Sequence, residues 1–190
     1  MEILIFTNNK EENMKIYAIL FNQSYENWDY KEGYDVLFLN TQFRGKKVIG
    51  INEPLKVETC FKGEKAEAGE ISDIANVGVI PIFKPHAKKL IEDYVKDLVE
   101  WVAFKHDIYG ICYGMNALNV IDCIDEKRSK LTPHHFNEKY EMKSKNIPFS
   151  LVFKIPNDKK LCVFCTEEFK NIIEDNRLKG LAYELIWESK

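Results

Sequence analysis

The sequence predicts an α+β protein, sheet-rich, with two principal helices at about 86–98 and 167–178. Three observations lead there. An apolar stripe at helical period runs from Ala87 to Leu98. A second short stripe follows a helix-start signal at Thr166. Most other apolar runs are short and bounded by turn residues, as strands are. Strands and helices in this irregular order suit helices packed on mixed or antiparallel sheet.

Taken in order, Ile3 to Phe6 and Ile16 to Phe21 read as strands joined by a turn through the polar stretch Thr7 to Asn13. Tyr25 to Tyr30 is aromatic and acidic with weak periodicity, and Val36 to Leu39 reads as a further strand. Val77 to Phe83 is a strand candidate, and Pro85 suits the first turn of a helix, where a missing N–H costs nothing. Ala87, Leu90, Ile91, Tyr94, Val95 and Leu98 then form one apolar face, with Lys88, Lys89, Glu92, Asp93 and Lys96 on the others. A helix of that length is marginal alone, so it must pack on a neighbour.

Glu100 to Lys105 and Tyr109 to about Ile124 read as strands turning at His106-Asp107, with Gly114 as a break in the second. Pro133 to Asn146 loses periodicity and reads as a surface excursion. Phe149 to Ile155 and Leu161 to Cys165 resemble a hairpin with Asn157-Asp158 at its tip. Thr166 is an N-cap residue type, Glu167 and Glu168 follow where the helix dipole favours acids, and Phe169, Ile172 and Ile173 supply the apolar face. Gly180 is placed to end that helix, and Leu181, Tyr183, Leu185 and Trp187 alternate as a closing strand.

At 190 residues the chain suits a single domain, 1–190, or two small lobes sharing a core. The charged stretch Lys62 to Glu70, with Gly63 and Gly69, reads as an exposed loop and marks the candidate edge of an N-terminal lobe, 1–65. With 45% hydrophobic and 13% aromatic residues the chain can bury a substantial interior. A net charge of -3, with basic residues scattered among acids, gives no one-sided patch for nucleic acid and no call on a membrane surface. No apolar run approaches the roughly 18 residues of a membrane span. Met1 to Phe6 lacks the basic start and long apolar core of a signal peptide. An odd set of five cysteines, Cys60, Cys112, Cys123, Cys162 and Cys165, fits reduced thiols, and the expected location is the cytoplasm.

The sequence contains no nucleophile elbow, phosphate-binding loop or dinucleotide fingerprint. Cys162-Val163-Phe164-Cys165 has redox or zinc spacing, but in a strand the two thiols point to opposite faces, which suits packing. His134-His135 with Asp122 and Asp125 is the one set that offers a rival reading, a small metal-dependent hydrolase. The bland alternative is loop histidines and structural aspartates. Tyr113, Asn119, Asp122, Asp125 and Ser129 place polar groups on an otherwise apolar run without a catalytic constellation. Such groups serve either a structural network or a binding surface. Asp125 and Ser129 also suit caps on a turn's exposed backbone donors.

A wider pattern runs through these residues. It begins at Ile71-Ser72-Asp73-Ile74, passes Glu100-Trp101-Val102, and continues through Tyr113, Asn119-Val120-Ile121-Asp122-Cys123-Ile124-Asp125 and Ser129. It ends in Val163-Phe164-Cys165-Thr166-Glu167-Glu168-Phe169-Lys170 and Leu178-Lys179-Gly180-Leu181. Over about residues 70–188 this resembles the bacterial immunity-protein family of polymorphic toxin systems, a former domain of unknown function typified by a myxobacterial immunity protein. The resemblance implies a cytosolic antidote that binds a cognate toxin by stoichiometric inhibition, with no catalytic residues, no cofactor and no metal. Its motif positions, here Tyr113, Asn119, Asp122, Asp125, Ser129, Phe169 and Gly180, are structural or binding residues. For the partner surface the candidate is Trp28 and Tyr30, with Tyr34, interleaved with Glu26, Asp29, Glu32 and Asp35. Aromatic anchors within an acidic rim suit recognition of a basic toxin. The same aromatics equally suit core packing.

Overall fold

The computed structural model describes residues 14–60, 70–130, 139–147, 151–156 and 162–189. The expected strand at Ile3 to Phe6, the loop at 62–69, His134-His135 and the hairpin tip at Asn157-Asp158 lie outside the described residues.

Among the described residues ten strands and three α-helices follow in the order β1 (Lys15–Phe21), β2 (Asn27–Tyr30), α1 (Val36–Gln42), β3 (Leu55–Cys60), β4 (Ile74–Val77), β5 (Ile80–Phe83), α2 (Pro85–Val95), β6 (Val99–His106), β7 (Gly110–Ala117), β8 (Val152–Phe153), β9 (Phe164–Thr166), α3 (Glu167–Asp175) and β10 (Leu181–Glu188). The fold is sheet-rich α+β, as the sequence predicts. Six strands close a barrel in the order β2-β3-β6-β7-β5-β4, and a second sheet runs β10-β1-β9-β8. Strands from before residue 60 are built into both sheets: β1 lies between β10 and β9, and β2 and β3 complete the barrel.

Three apolar clusters hold this together. Trp28, Phe43, Val57, Ile82 and Phe104 fill the barrel. Ala87, Ile91 and Val95 of α2 meet Phe169 and Ile173 of α3, Phe83, Met115 and Val163 in the layer joining barrel, helices and second sheet. Ile16, Cys123, Phe153 and Phe164 form the third, across the second sheet. α2 buries a narrower stripe than its sequence offers. Ala87, Ile91 and Val95 are covered, while Leu90 and Tyr94 are 45% and 56% exposed. The helix also ends before Leu98, whose N–H reaches back to the carbonyl of Val95 at 2.8 Å.

Several local expectations are corrected. Val36 to Leu39 is helical, because Asp35 caps it: Oδ1 accepts the Phe38 N–H at 2.9 Å, and Leu39 with Phe43 supplies the buried face. Val77 to Phe83 is a hairpin, turning at Gly78 with φ +58°. Gly114 does not break β7. It lies within the strand because a Cβ there would come within 2.5 Å of the Phe104 ring. The second strand ends at Ala117 rather than near Ile124.

At α3, Thr166 occupies the N-cap position, yet its hydroxyl makes no cap bond and is buried without a partner. Gly180 does not end the helix. The chain leaves α3 at Asn176 and turns through Arg177, at φ +55°. Gly180 is needed further on, where φ is +122° and a Cβ would lie 1.8 Å from the carbonyl oxygen of Ile74. It lets the entry to β10 cross the start of β4. The closing strand and the hairpin pairing of β8 with β9 follow the sequence reading.

Candidate functional site

The wall formed by β2, β3 and β6 has polar groups on both faces. Alternation in Asn27–Tyr30 sends Trp28 and Tyr30 inward, where they are 1% and 7% exposed, and leaves Asp29 outside. Glu26, 6% exposed, is also internal. Glu32 is exposed. Of the seven residues expected at the partner surface, Asp29, Glu32 and Asp35 therefore reach solvent, Tyr34 is half-buried, and Trp28, Tyr30 and Glu26 belong to the barrel interior. The reason is barrel closure: the pleat gives every second residue of β2 to the core.

Inside, Glu26 is fully engaged. Its Oε1 lies 2.9 Å from Lys84 Nζ, and its Oε2 accepts the Tyr109 hydroxyl proton at 2.9 Å. The Lys84 ammonium also sits 3.5 Å from the centroid of the Tyr109 ring. Tyr109 stacks on Trp28 with centroids 5.5 Å apart, and His106 lies 4.3 Å from Trp28 on the same stack. The Ile108 N–H donates to His106 Nδ1 at 3.1 Å, so the neutral ring carries its proton on Nε2 and donates it to Thr59 Oγ1, also at 3.1 Å. Burial holds the His106 pKa below its ordinary value. Burial, and then the bond to Glu26, push the Tyr109 hydroxyl up to about 12. Lys84, Tyr109 and His106 were not singled out in the sequence. Glu26 and Thr59 lie far from them along the chain, and the pairing of strands brings them together.

Outside, Asp29 stands directly opposite Glu58 on β3. Asp29 Oδ1 accepts the N–H of Tyr30 at 2.8 Å, which fixes its rotamer. Lys31 reaches across to Asp107, and that contact raises the lysine pKa and lowers the carboxyl's.

The residues of the polar run do not converge on one place. Asp125 Oδ1 accepts the Lys127 N–H at 3.2 Å, and its carbonyl takes the N–H of Ser129 at 2.8 Å. Ser129 Oγ donates to the Glu141 carbonyl at 3.1 Å and accepts the Glu141 N–H at 2.8 Å. Asp122 is exposed, with its carbonyl taking Asn146 Nδ2 at 2.9 Å, and the Asn119 carbonyl takes the Lys154 N–H at 2.7 Å. Tyr113 lies on β7 under Lys88, whose Nζ is 5.1 Å from its ring centroid. Phe169 is fully buried. These are the contacts of turns and core.

Among the described residues no group of three or more His, Cys, Asp or Glu is placed to hold a metal, and His134 and His135 lie outside them. Cys165 lies in β9 but Cys162 precedes that strand, and the two are buried in different clusters. Burial pushes the Cys165 pKa far up, which disfavours the thiolate. Small clefts open among the described residues. One, of about 90 Å³, has Leu20, Val79 and Leu181 in its walls, and another, of about 200 Å³, has Glu53, Glu100 and Trp101. Neither pairs a nucleophile with a general base. No helix among the described residues is long and apolar enough to cross a membrane.

Compared with models of known families, residues 93–187, half of the chain, match the one described as Immunity protein family (Imm11). The matched segment runs from the last turn of α2 into β10 and takes in Tyr113, Asn119, Asp122, Asp125, Ser129, Phe169 and Gly180. No curated protein matches the chain.

Proposed function

The chain belongs to the Imm11 immunity protein family, and from that membership we propose that it binds a cognate bacterial toxin domain in the cytoplasm and neutralises it by stoichiometric occupancy, without catalysis. The family match is the observation that carries this reading. The disposition of the polar residues supports it. Asp125 and Ser129 serve a turn, Glu26 and Lys84 serve the barrel interior, and neither of those two clefts holds a nucleophile beside a base.

Such an inhibitor needs a rigid surface of about 800 Å² per partner. That surface, in this reading, includes the barrel wall, braced from within by Trp28 and Tyr30, with Asp29 exposed on β2 and Glu32 exposed in the turn just beyond it. In this reading the buried aromatics set the position of the acids and do not touch the toxin. The test is co-purification with the product of the adjacent upstream reading frame, followed by growth rescue of cells expressing that product. A tight equimolar complex with rescue supports the proposal. A toxic neighbouring product that neither binds this chain nor is relieved by it overturns it.

A further inference from the structure

The exposed face of β2, β3 and β6 carries its charges in rows of one sign. β2 and β3 run antiparallel with Asp29 opposite Glu58, and the Lys31 N–H bonds the Lys56 carbonyl at 3.1 Å just beyond. β3 and β6 run parallel with Lys56 opposite Lys105 and Val57 opposite His106, and that register carried one residue past the end of β6 brings Glu58 level with Asp107 in the turn. Three adjacent strands thus present an acidic row, Asp29-Glu58-Asp107, and a basic row, Lys31-Lys56-Lys105. All six lie on the outer side of the wall, and all but Lys31, which is half-buried, are exposed. At ordinary strand dimensions the rows lie roughly 7 Å apart, and each spans about 10 Å.

This arrangement works against the fold. Like charges directly opposite each other across strands are destabilising, and opposite charges there are stabilising. Exchanging the residues at 56 and 58 alone would turn each like pair into an opposite pair without altering composition or net charge. Lys31 and Asp107 offset part of the repulsion by reaching diagonally to one another. Lys31 is also drawn to Glu58, and Asp107 to Lys105, so Asp29–Glu58 and Lys56–Lys105 keep part of theirs. The two rows do, however, give the face a defined electrical polarity across its width, and polarity of that kind orients a partner.

We propose that this two-row face is the docking surface for the toxin, and that it recognises a protein patch bearing cationic side chains over Asp29 and Glu58 and anionic side chains over Lys56 and Lys105, on either side of the Lys31–Asp107 pair. The proposal rests on the immunity reading above and names the partner chemistry for it. Complementarity in two rows fixes orientation as well as attraction, because a partner rotated by half a turn meets like charge in both rows. Exposed charges of this kind act chiefly on the association rate and are screened by salt.

The experiment is the exchange Lys56→Glu/Glu58→Lys, measured in the full chain beside wild type against the purified product of the adjacent reading frame. Expected results are association slowed roughly tenfold or more, with a melting temperature equal to or above wild type. Wild-type association should itself slow as salt rises from about 0.05 to about 0.5 M. Circular dichroism checks folding, and Lys56→Gln/Glu58→Gln provides a neutral second variant should the exchange perturb the strand. Wild-type kinetics in folded variants overturn the proposal while leaving the immunity reading intact. Failure of the wild-type chain to bind or rescue removes both. If light scattering finds a wild-type dimer that the exchange dissolves while toxin binding is unchanged, the face belongs to a second copy and the proposal is overturned.

Discussion

Lys84 and Glu26 meet inside the barrel with Nζ 2.9 Å from Oε1 and side chains only 7% and 6% exposed. One is the N-cap residue of α2 and the other leads into β2, so the contact ties helix to wall across 58 positions of sequence. Tyr109 completes the carboxylate's hydrogen bonding from the turn between β6 and β7. Buried ion pairs add little net stability, but removing one partner leaves an uncompensated charge.

The first prediction follows from that asymmetry. Lys84→Met should cost about 3–5 kcal/mol in urea unfolding, because Glu26 is left charged in the interior. Lys84→Met/Glu26→Leu should recover most of the loss. A single variant as stable as wild type would mean that the carboxylate escapes to solvent.

His106 supplies a pH dependence with a definite sign. Burial holds its folded pKa below the ordinary 6.5, so the unfolded chain takes up a proton more readily than the folded one. Its contribution to stability is complete above 6.5 and is lost as pH falls from there through the folded value. Urea midpoints taken from about pH 7.5 down to about pH 5 should therefore fall. The part due to His106 should disappear in His106→Gln, measured as a flatter pH profile.

How far the sequence could lead is clearest on β2. Tyr25 to Tyr30 has only weak periodicity in the sequence, and it is the pleat of Asn27–Tyr30 that puts Trp28 and Tyr30 on one face opposite Asp29. Which face is buried depends on barrel closure by β3 and β4, and that is not local information. Val36 to Leu39 failed differently. Four apolar residues carry no resolvable period, and the deciding signal was the Asp35 cap. Amphipathic α2 and α3 were legible because their stripes are long enough to fix a period. The charge rows were invisible for a simpler reason, since Lys31, Lys56 and Lys105 become neighbours only once strand register is known.

Gly180 and Gly33 make a matched pair for backbone strain. Both have positive φ, +122° and +98°, but a Cβ at Gly33 meets nothing within 4 Å, while one at Gly180 strikes the Ile74 carbonyl. Gly33→Ala should cost about 1 kcal/mol from conformation alone. Gly180→Ala should cost about 3 kcal/mol or more, because the β10 entry must also move away from β4. Thermal melts of the two variants side by side test this, and equal losses would contradict the close approach.

Ser129 separates a fold role from a binding role within the family-matched segment. Its hydroxyl makes two bonds to the backbone of Glu141 and holds the 125–129 turn against that strand-like segment. Ser129→Ala should lower stability by about 1–2 kcal/mol and leave toxin affinity unchanged at temperatures where the variant is folded. Lost affinity in a fully folded Ser129→Ala would place the toxin on this turn instead of on the barrel wall.

The exposed acids of the wall should behave in the opposite way. Asp29 and Glu32 are in solvent, and Asp29 already faces Glu58, so Asp29→Lys/Glu32→Lys removes a repulsion and should leave the melting temperature unchanged or higher. The same variant should weaken toxin binding roughly tenfold or more, mainly through slower association. Trp28→Ala, by contrast, empties a site that is 1% exposed and stacked on Tyr109, and should cost about 3–5 kcal/mol of stability. Any loss of binding in that variant should track the unfolded fraction. Titration calorimetry with parallel thermal melts distinguishes the two behaviours. If Asp29→Lys/Glu32→Lys binds like wild type, the acidic side of the wall is not the contact, whatever the buried aromatics do.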